Sequence, residues 1–130
     1  MVDALRTEID SYKSRQDTQI NFFCSARTLS VSNDASLAIF RIVQEALRNI
    51  AKYSEASNVD ISINIIKDTF ILQIKDDGIG FDVESARKPP GLRLKSMMER
   101  ARLIGGKLDI ESQEFQGTTI ELNVANKRLA

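Results

Sequence analysis

The stretch VDISINIIKDTFILQIKDDGIG, running from Val59 to Gly80, decides the fold. Val59, Ile61, Ile63 and Ile65 alternate with Asp60, Ser62 and Asn64. That period of two belongs to a strand with one apolar and one polar face. Lys67-Asp68-Thr69 makes a turn, after which Phe70, Leu72 and Ile74 alternate with Gln73 and Lys75. A sheet built from such strands is covered on one face and wet on the other. Antiparallel and mixed sheets tolerate this, whereas all-parallel sheets are buried on both faces. Helices are therefore expected on one face only.

Outward from this hairpin, the remaining elements follow from periodicity. Val2, Leu5, Ile9 and Tyr12 recur at helical spacing and predict an amphipathic helix over 3–16. Thr18 to Ser25 reads as a short strand, with Cys24 in the core beside Phe22 and Phe23. A long helix is expected from about Ser36 to Ser54, with Asn33, Asp34 and Ser36 as candidate N-caps. Its apolar stripe is Ile39, Val43, Ala46, Leu47 and Ile50. Leu94, Met97, Met98, Ala101 and Ile104 predict another helix, ended by Gly105-Gly106 as a C-terminal cap. A closing hairpin pairs Lys107–Ser112 with Thr118–Val124 through a turn at Gly117. The expected architecture is a single-domain α/β (α+β) two-layer sandwich. Its sheet is mixed, mostly antiparallel and of about five strands, with three helices on one face.

Residues 81–93 break the pattern. They hold little periodicity and both prolines, Pro89 and Pro90, with Gly80 and Gly91 near the two ends. A long irregular segment inside a compact domain is either functional or disordered, and its position between the two candidate sites favours a lid.

Composition removes many chemistries. The chain has 130 residues, with 18 basic and 18 acidic side chains that cancel. Such a balance gives no long-range pull on nucleic acid or on an anionic membrane. No apolar run approaches the roughly 20 residues needed to cross a bilayer, and no charged-then-apolar leader opens the chain. The single cysteine has no intramolecular disulfide partner, in keeping with a reducing cytoplasmic setting. The chain holds no histidine. That excludes His-ligated metals, Ser-His-Asp and Cys-His machinery, and phosphorylation on a histidine of its own.

Two polar clusters remain. Glu45, Asn49, Lys52 and Tyr53 stand at i, i+4, i+7 and i+8 of the long helix and share a side that flanks the apolar stripe. A merely solvated helix side is the plain alternative. Against it, Asn is a poor helix-interior residue. Arg48 and Gln44 already supply a more exposed side. An Asn oxygen suits Mg²⁺, Glu can order a metal-bound water or take a proton, Lys can neutralise phosphate, and Tyr offers a flat face to a purine. The second cluster is Asp76-Asp77-Gly78-Ile79-Gly80-Phe81. A hairpin turn at Asp77-Gly78 is its plain reading. The alternative is that Asp76 accepts a hydrogen bond from an exocyclic amine while Gly78 and Gly80 let backbone pass close to a ligand. Gly91 and the start of the helix at Leu94 can offer backbone N–H groups to phosphate. Gly117-Thr118-Thr119 is either a turn and strand or part of a pocket wall.

In this order, the motifs resemble the catalytic and ATP-binding domain of bacterial sensor histidine kinases, in the superfamily that includes gyrase, the Hsp90 chaperone and MutL. Phe40 to Asn49, FRIVQEALRN, is similar to the N box of the subgroup paired with NarL-type response regulators. Gly91 to Ala101, GLRLKSMMERA, followed by Gly105-Gly106, is similar to that subgroup's second glycine box and helix. The resemblance covers about residues 1–125. It implies ATP and Mg²⁺ as cofactors, with Asn49 on the metal and Glu45 as or near the general base, where it reaches the metal through water. It implies Lys52 on phosphate, Tyr53 near adenine, Asp76 on the adenine amine between Gly78 and Gly80, and Gly91 in the lid. Thr118 or Thr119 would line the adenine side. It further implies transfer of the γ-phosphoryl group to a histidine on a separate dimerisation domain, a NarL-type response regulator downstream, and no nucleic-acid or membrane contact.

Three departures stand out. Tyr53 replaces a His that is frequent in the subgroup. Arg93 stands where the family usually has a second glycine, and its guanidinium either crowds the triphosphate or binds it. The acceptor histidine is missing, so the chain reads as a fragment of a larger kinase. A non-catalytic module of the same fold and an anti-sigma-type serine kinase are the competing readings.

Overall fold

The computed structural model describes residues 1–25, 30–80, 94–113 and 115–130. Helix α1 (Val2–Arg15) leads into strand β1 (Gln19–Cys24), followed by α2 (Asn33–Asn49) and a single π-helical turn (Ile50–Ser54). Strands β2 (Asn58–Ile66) and β3 (Thr69–Asp76) form the expected hairpin. Helix α3 (Leu94–Leu103), strands β4 (Lys107–Ser112) and β5 (Thr118–Ala125), and a short 3₁₀ turn (Asn126–Arg128) complete the described elements.

The five strands form one sheet in the order β1-β2-β3-β5-β4. β1 pairs with β2 in parallel, and every other pairing is antiparallel. The parallel pair requires a crossover, which α2 supplies. Register aligns the apolar side chains across all five strands: Phe22, Ile61, Ile74, Ile120 and Ile110 stand in one row. Helices pack against this row and its neighbours. On α2, Ile39, Ile42, Val43, Ala46 and Leu47 are all essentially inaccessible, and each of the larger ones contributes about 1.5–3 kcal/mol of transfer free energy. The outer sheet face is polar, with Asn21 bonded to Asp60 and Gln73 to Glu121.

Three local expectations are corrected. The N-cap of α2 is Ser32, whose Oγ accepts from the Ala35 N–H at 3.1 Å; Asn33, Asp34 and Ser36 lie inside the first turns. Adjacent polar residues make the cap register ambiguous in sequence. It is fixed by a distant contact, the Ser32 N–H donating to the Leu129 carbonyl at 2.6 Å. The long helix also does not stay α-helical to Ser54, because its last turn widens after Asn49. Cys24, expected in the core, is only partly buried on the edge strand. The α3 cap is as expected: Gly106 N–H donates to Ala101 O and Gly105 N–H to Arg102 O, the paired bonds of a Schellman motif.

Candidate functional site

The C-terminal ends of α2 and β3 and the start of β5 converge on a slot. It is walled by Ala46, Ile50, Leu94 and Ile120 and fringed by Asn49, Tyr53, Ser54, Asp76, Gly80 and Thr118. Counted to its open mouth, the slot holds about 380 Å³, with little room between its walls. The space is narrow and mostly apolar.

Asp76 sits at the base of the slot and is 6% exposed. Its Oδ1 accepts from Ser54 Oγ at 2.7 Å and from the Gly78 N–H at 2.9 Å. Both bonds go to one oxygen, and they fix the carboxylate plane. The Ser54 carbonyl in turn accepts from the Ile79 N–H at 2.7 Å, so the widened helical turn and the end of β3 clasp each other. Gly78 is required by proximity: a Cβ there would lie 1.9 Å from Ser54 Oγ and 2.2 Å from Ser54 O. Gly80 is required by conformation as well, at φ 68°, with a Cβ 2.0 Å from the Gln113 carbonyl.

Asp77 has a different task. Its Oδ1 accepts from the Ser57 and Asn58 N–H groups at 2.8 and 2.9 Å, and its Oδ2 from Asn58 Nδ2 at 3.0 Å. The hydrogen bonds from Asn58 and Ser57 hold its carboxyl below the usual aspartate range. It anchors the start of β2 and faces away from the slot. On α1, burial pushes the Tyr12 phenol above its ordinary value.

The four helix residues divide into two pairs. Asn49 and Tyr53 reach the slot, whereas Glu45 and Lys52 line a second groove, between α1 and α2, with Tyr12 and Arg48. Glu45 and Asn49 stand in the regular part of α2, whereas Lys52 and Tyr53 stand on the widened turn that follows it, Lys52 toward the groove and Tyr53 toward the slot. Arg48 joins the two pairs. Its Nη1 donates to Glu45 Oε1 at 3.1 Å and to Asn49 Oδ1 at 3.2 Å. Of the two threonines, Thr118 is buried against the slot, and Thr119 lines the opposite sheet face beside Gln73 and Glu121. Leu94 lines the slot from α3. Gly91, Arg93 and the lid over 81–93 lie outside the described residues.

Sequence reasoning missed Ser54, Arg48 and the wall residues Ala46, Ile50 and Ile120. The wall residues carried a core signal and serve both ends. Thr118 was legible, because it shares strand parity with the buried Ile120 and Leu122.

The donor set fits a nucleotide. A buried, oriented carboxylate at the end of an apolar slot can pair with an amine on a flat base. Among the described residues, no cluster of three or more His, Cys, Asp or Glu stands ready for a metal. A cation here would bring most of its ligands with it, as Mg²⁺ does on a polyphosphate, and Asn49 Oδ1 already accepts from a cationic group.

Residues 34–128 match the family described as histidine kinase-, DNA gyrase B- and HSP90-like ATPase. The oxygen sensor histidine kinase NreB of Staphylococcus carnosus is 31% identical over 121 residues, 93% of this chain and 35% of that protein. The signal transduction histidine-protein kinase/phosphatase DegS of Bacillus subtilis is 36% identical over 110 residues, 82% of this chain and 29% of that protein. The chain thus spans about a third of the length of these relatives. Among solved structures, the blue-light activated histidine kinase of Erythrobacter litoralis superposes with a TM-score of 0.78 at 17% identity, over 98% of this chain and 41% of that one. A mycobacterial sensor histidine kinase, MprB, does so with a TM-score of 0.75 at 19% identity, over 95% of this chain and 93% of that one.

Proposed function

The chain belongs to the histidine kinase-, DNA gyrase B- and HSP90-like ATPase family, and on that premise we propose that it binds ATP with Mg²⁺ and donates the γ-phosphoryl group to a histidine on a separate dimerisation domain. The observation that carries this reading is the oriented Asp76 carboxylate at the base of a narrow apolar slot.

In this reading Asp76 accepts from the adenine amine, Gly78 and Gly80 bring backbone against the ring, and Ala46, Ile50, Leu94 and Ile120 exclude water from it. Tyr53 and Thr118 flank the same end. Asn49 Oδ1 is the oxygen offered to Mg²⁺, which when bound neutralises phosphate charge. Lys52 serves phosphate from the groove side. Glu45 opens onto the α1–α2 groove, from which an acceptor side chain can approach, and it takes the proton there or orders a water toward the metal. By the sequence resemblance, Gly91, Arg93 and Leu94 are assigned to the phosphate side of the nucleotide. Catalysis is then mainly positioning and charge neutralisation.

The chain holds no histidine, so the phosphoryl group must leave it. The dimerisation domain is supplied by the rest of the same kinase, and a NarL-type response regulator receives the group next. The setting is cytoplasmic; among the described residues no helix is long and apolar enough to cross a membrane.

A thermal-shift titration with ADP or ATP tests the premise, since a ligand that binds only the native state must raise Tm. Asp76→Asn should abolish the shift, and Glu45→Gln should retain it. No shift at millimolar nucleotide would exclude the kinase reading and leave a non-catalytic module. An acid-stable phosphoryl product on an acceptor domain added in trans would point to serine instead.

A further inference from the structure

Arg48 occupies an unusual place for a helix-surface arginine. It lies in the α1–α2 groove, yet its guanidinium turns toward the neighbouring residue on the slot side. One nitrogen, Nη1, serves two oxygens, Glu45 Oε1 and Asn49 Oδ1. Asn49 is 8% exposed, and the Arg48 and Glu45 side chains are 27% and 16% exposed. The three groups therefore meet at a partly desolvated ridge between groove and slot, where a charged hydrogen bond is stronger than at an open surface.

Two consequences follow from donor chemistry. A guanidinium has no acceptor, so its contact selects the oxygen of the Asn49 amide and directs the nitrogen elsewhere. The same two oxygens, an amide and a carboxylate, are hard ligands that suit Mg²⁺ or its waters. Arg48 thus places a positive charge where the nucleotide-borne cation would place one.

Resting on the nucleotide reading above, we propose that Arg48 is a positioning residue that stands in for the metal: it holds Asn49 Oδ1 and Glu45 Oε1 in the nucleotide-free protein and gives up Asn49 when the Mg²⁺-nucleotide arrives. The device keeps a positive charge beside both oxygens in the nucleotide-free site. It also makes metal binding a competition between two cations. Loss of Arg48 therefore weakens metal-free nucleotide, which loses a nearby positive charge, and relieves the competition for metal-bound nucleotide.

The test is the ratio of the ADP dissociation constants measured in EDTA and in Mg²⁺, by calorimetry on the 130-residue chain. Arg48→Met keeps the aliphatic stem and removes the charge. The ratio should rise about three- to tenfold in this variant, the scale of a partly exposed charged contact, and rise less in Arg48→Lys. An unchanged or smaller ratio would overturn the stand-in role, since a merely structural arginine lowers both affinities together. The unsubstituted protein provides a second reading: the Arg48 side-chain ¹⁵N resonances should move with ADP and Mg²⁺ and stay with ADP in EDTA. Identical spectra in the two conditions would overturn the proposal even if Arg48→Met failed to fold. Absence of ADP binding to the unsubstituted chain would remove the nucleotide reading and this inference together, whereas normal binding with an unchanged ratio removes only this inference.

Discussion

Gly78→Ala sets two effects of opposite sign against each other. The backbone there is not in the left-handed region, so alanine meets no conformational objection. Where an alanine fits, it stabilises by about 0.4–1 kcal/mol through the unfolded chain. Here it does not fit. The added methyl would lie 1.9 Å from Ser54 Oγ, 2.2 Å from Ser54 O and 2.9 Å from Asp76 Oδ1. The hydroxyl can rotate away, at the expense of its bond to Asp76; the Ser54 carbonyl belongs to the backbone and is already engaged by Ile79 N–H. Overpacking of this kind costs about 1–3 kcal/mol, and losing the Ser54–Asp76 bond in a buried setting adds about 1 kcal/mol. The net expectation is destabilisation by about 1–3 kcal/mol, which for a domain of this size lowers Tm by several degrees, about 3–10 °C. Urea unfolding measures the stability, and ADP titration of the folded variant measures the site. A Gly78→Ala protein as stable as the parent, with ADP affinity within twofold, would refute the clasp between Ser54 and Asp76 as the element that shapes the slot.

Asp77→Ala should flatten the acid limb of stability. The folded-state carboxyl lies below its ordinary value, so its contribution is fully present above the unfolded aspartate range and is lost as pH falls through the lowered folded pKa; urea midpoints measured from neutral pH down to acid should converge for the two proteins at the acid end. Ser32→Ala removes the α2 cap and should cost about 1 kcal/mol without changing nucleotide affinity, so a Tm loss accompanied by an equal ADP Kd is the expected pair of results.

The sheet was readable because one covered face imposes a period of two, and the alternation of Val59, Ile61 and Ile63 against Asp60 and Ser62 admits one interpretation. The parallel pairing of β1 with β2 was not spelled out in either strand; it follows from α2 crossing between them. The site was half legible. Asp76, Gly78, Gly80 and Asn49 declared themselves by residue type and spacing. Ser54 did not, because its role depends on Asp76, 22 positions away. Arg48 read as an ordinary exposed side because helical angle alone cannot show a guanidinium folding back along its own helix. Treating Glu45, Asn49, Lys52 and Tyr53 as one face overlooked the widened turn after Asn49, and the four side chains line two different cavities.

That division constrains how the site can work. The Asp76 end is built from backbone that also holds the fold: the Ser54 carbonyl binds Ile79, the Ser54 hydroxyl binds Asp76, and Gly78 is pressed against both. Changes at Ser54 or Gly78 must therefore alter stability and the shape of the slot together. Glu45 and Lys52 stand on the groove side, and Asn49 on the ridge between, so their substitution leaves the clasp intact. If chemistry is carried on the groove side and affinity on the slot side, then stability should follow binding across variants of the clasp, while variants of Glu45 should lose transfer at unchanged ADP affinity and unchanged Tm. The widened turn at Ile50–Ser54 is the hinge point of this separation, because it ends the regular helix that presents Glu45 and delivers Ser54 to the sheet.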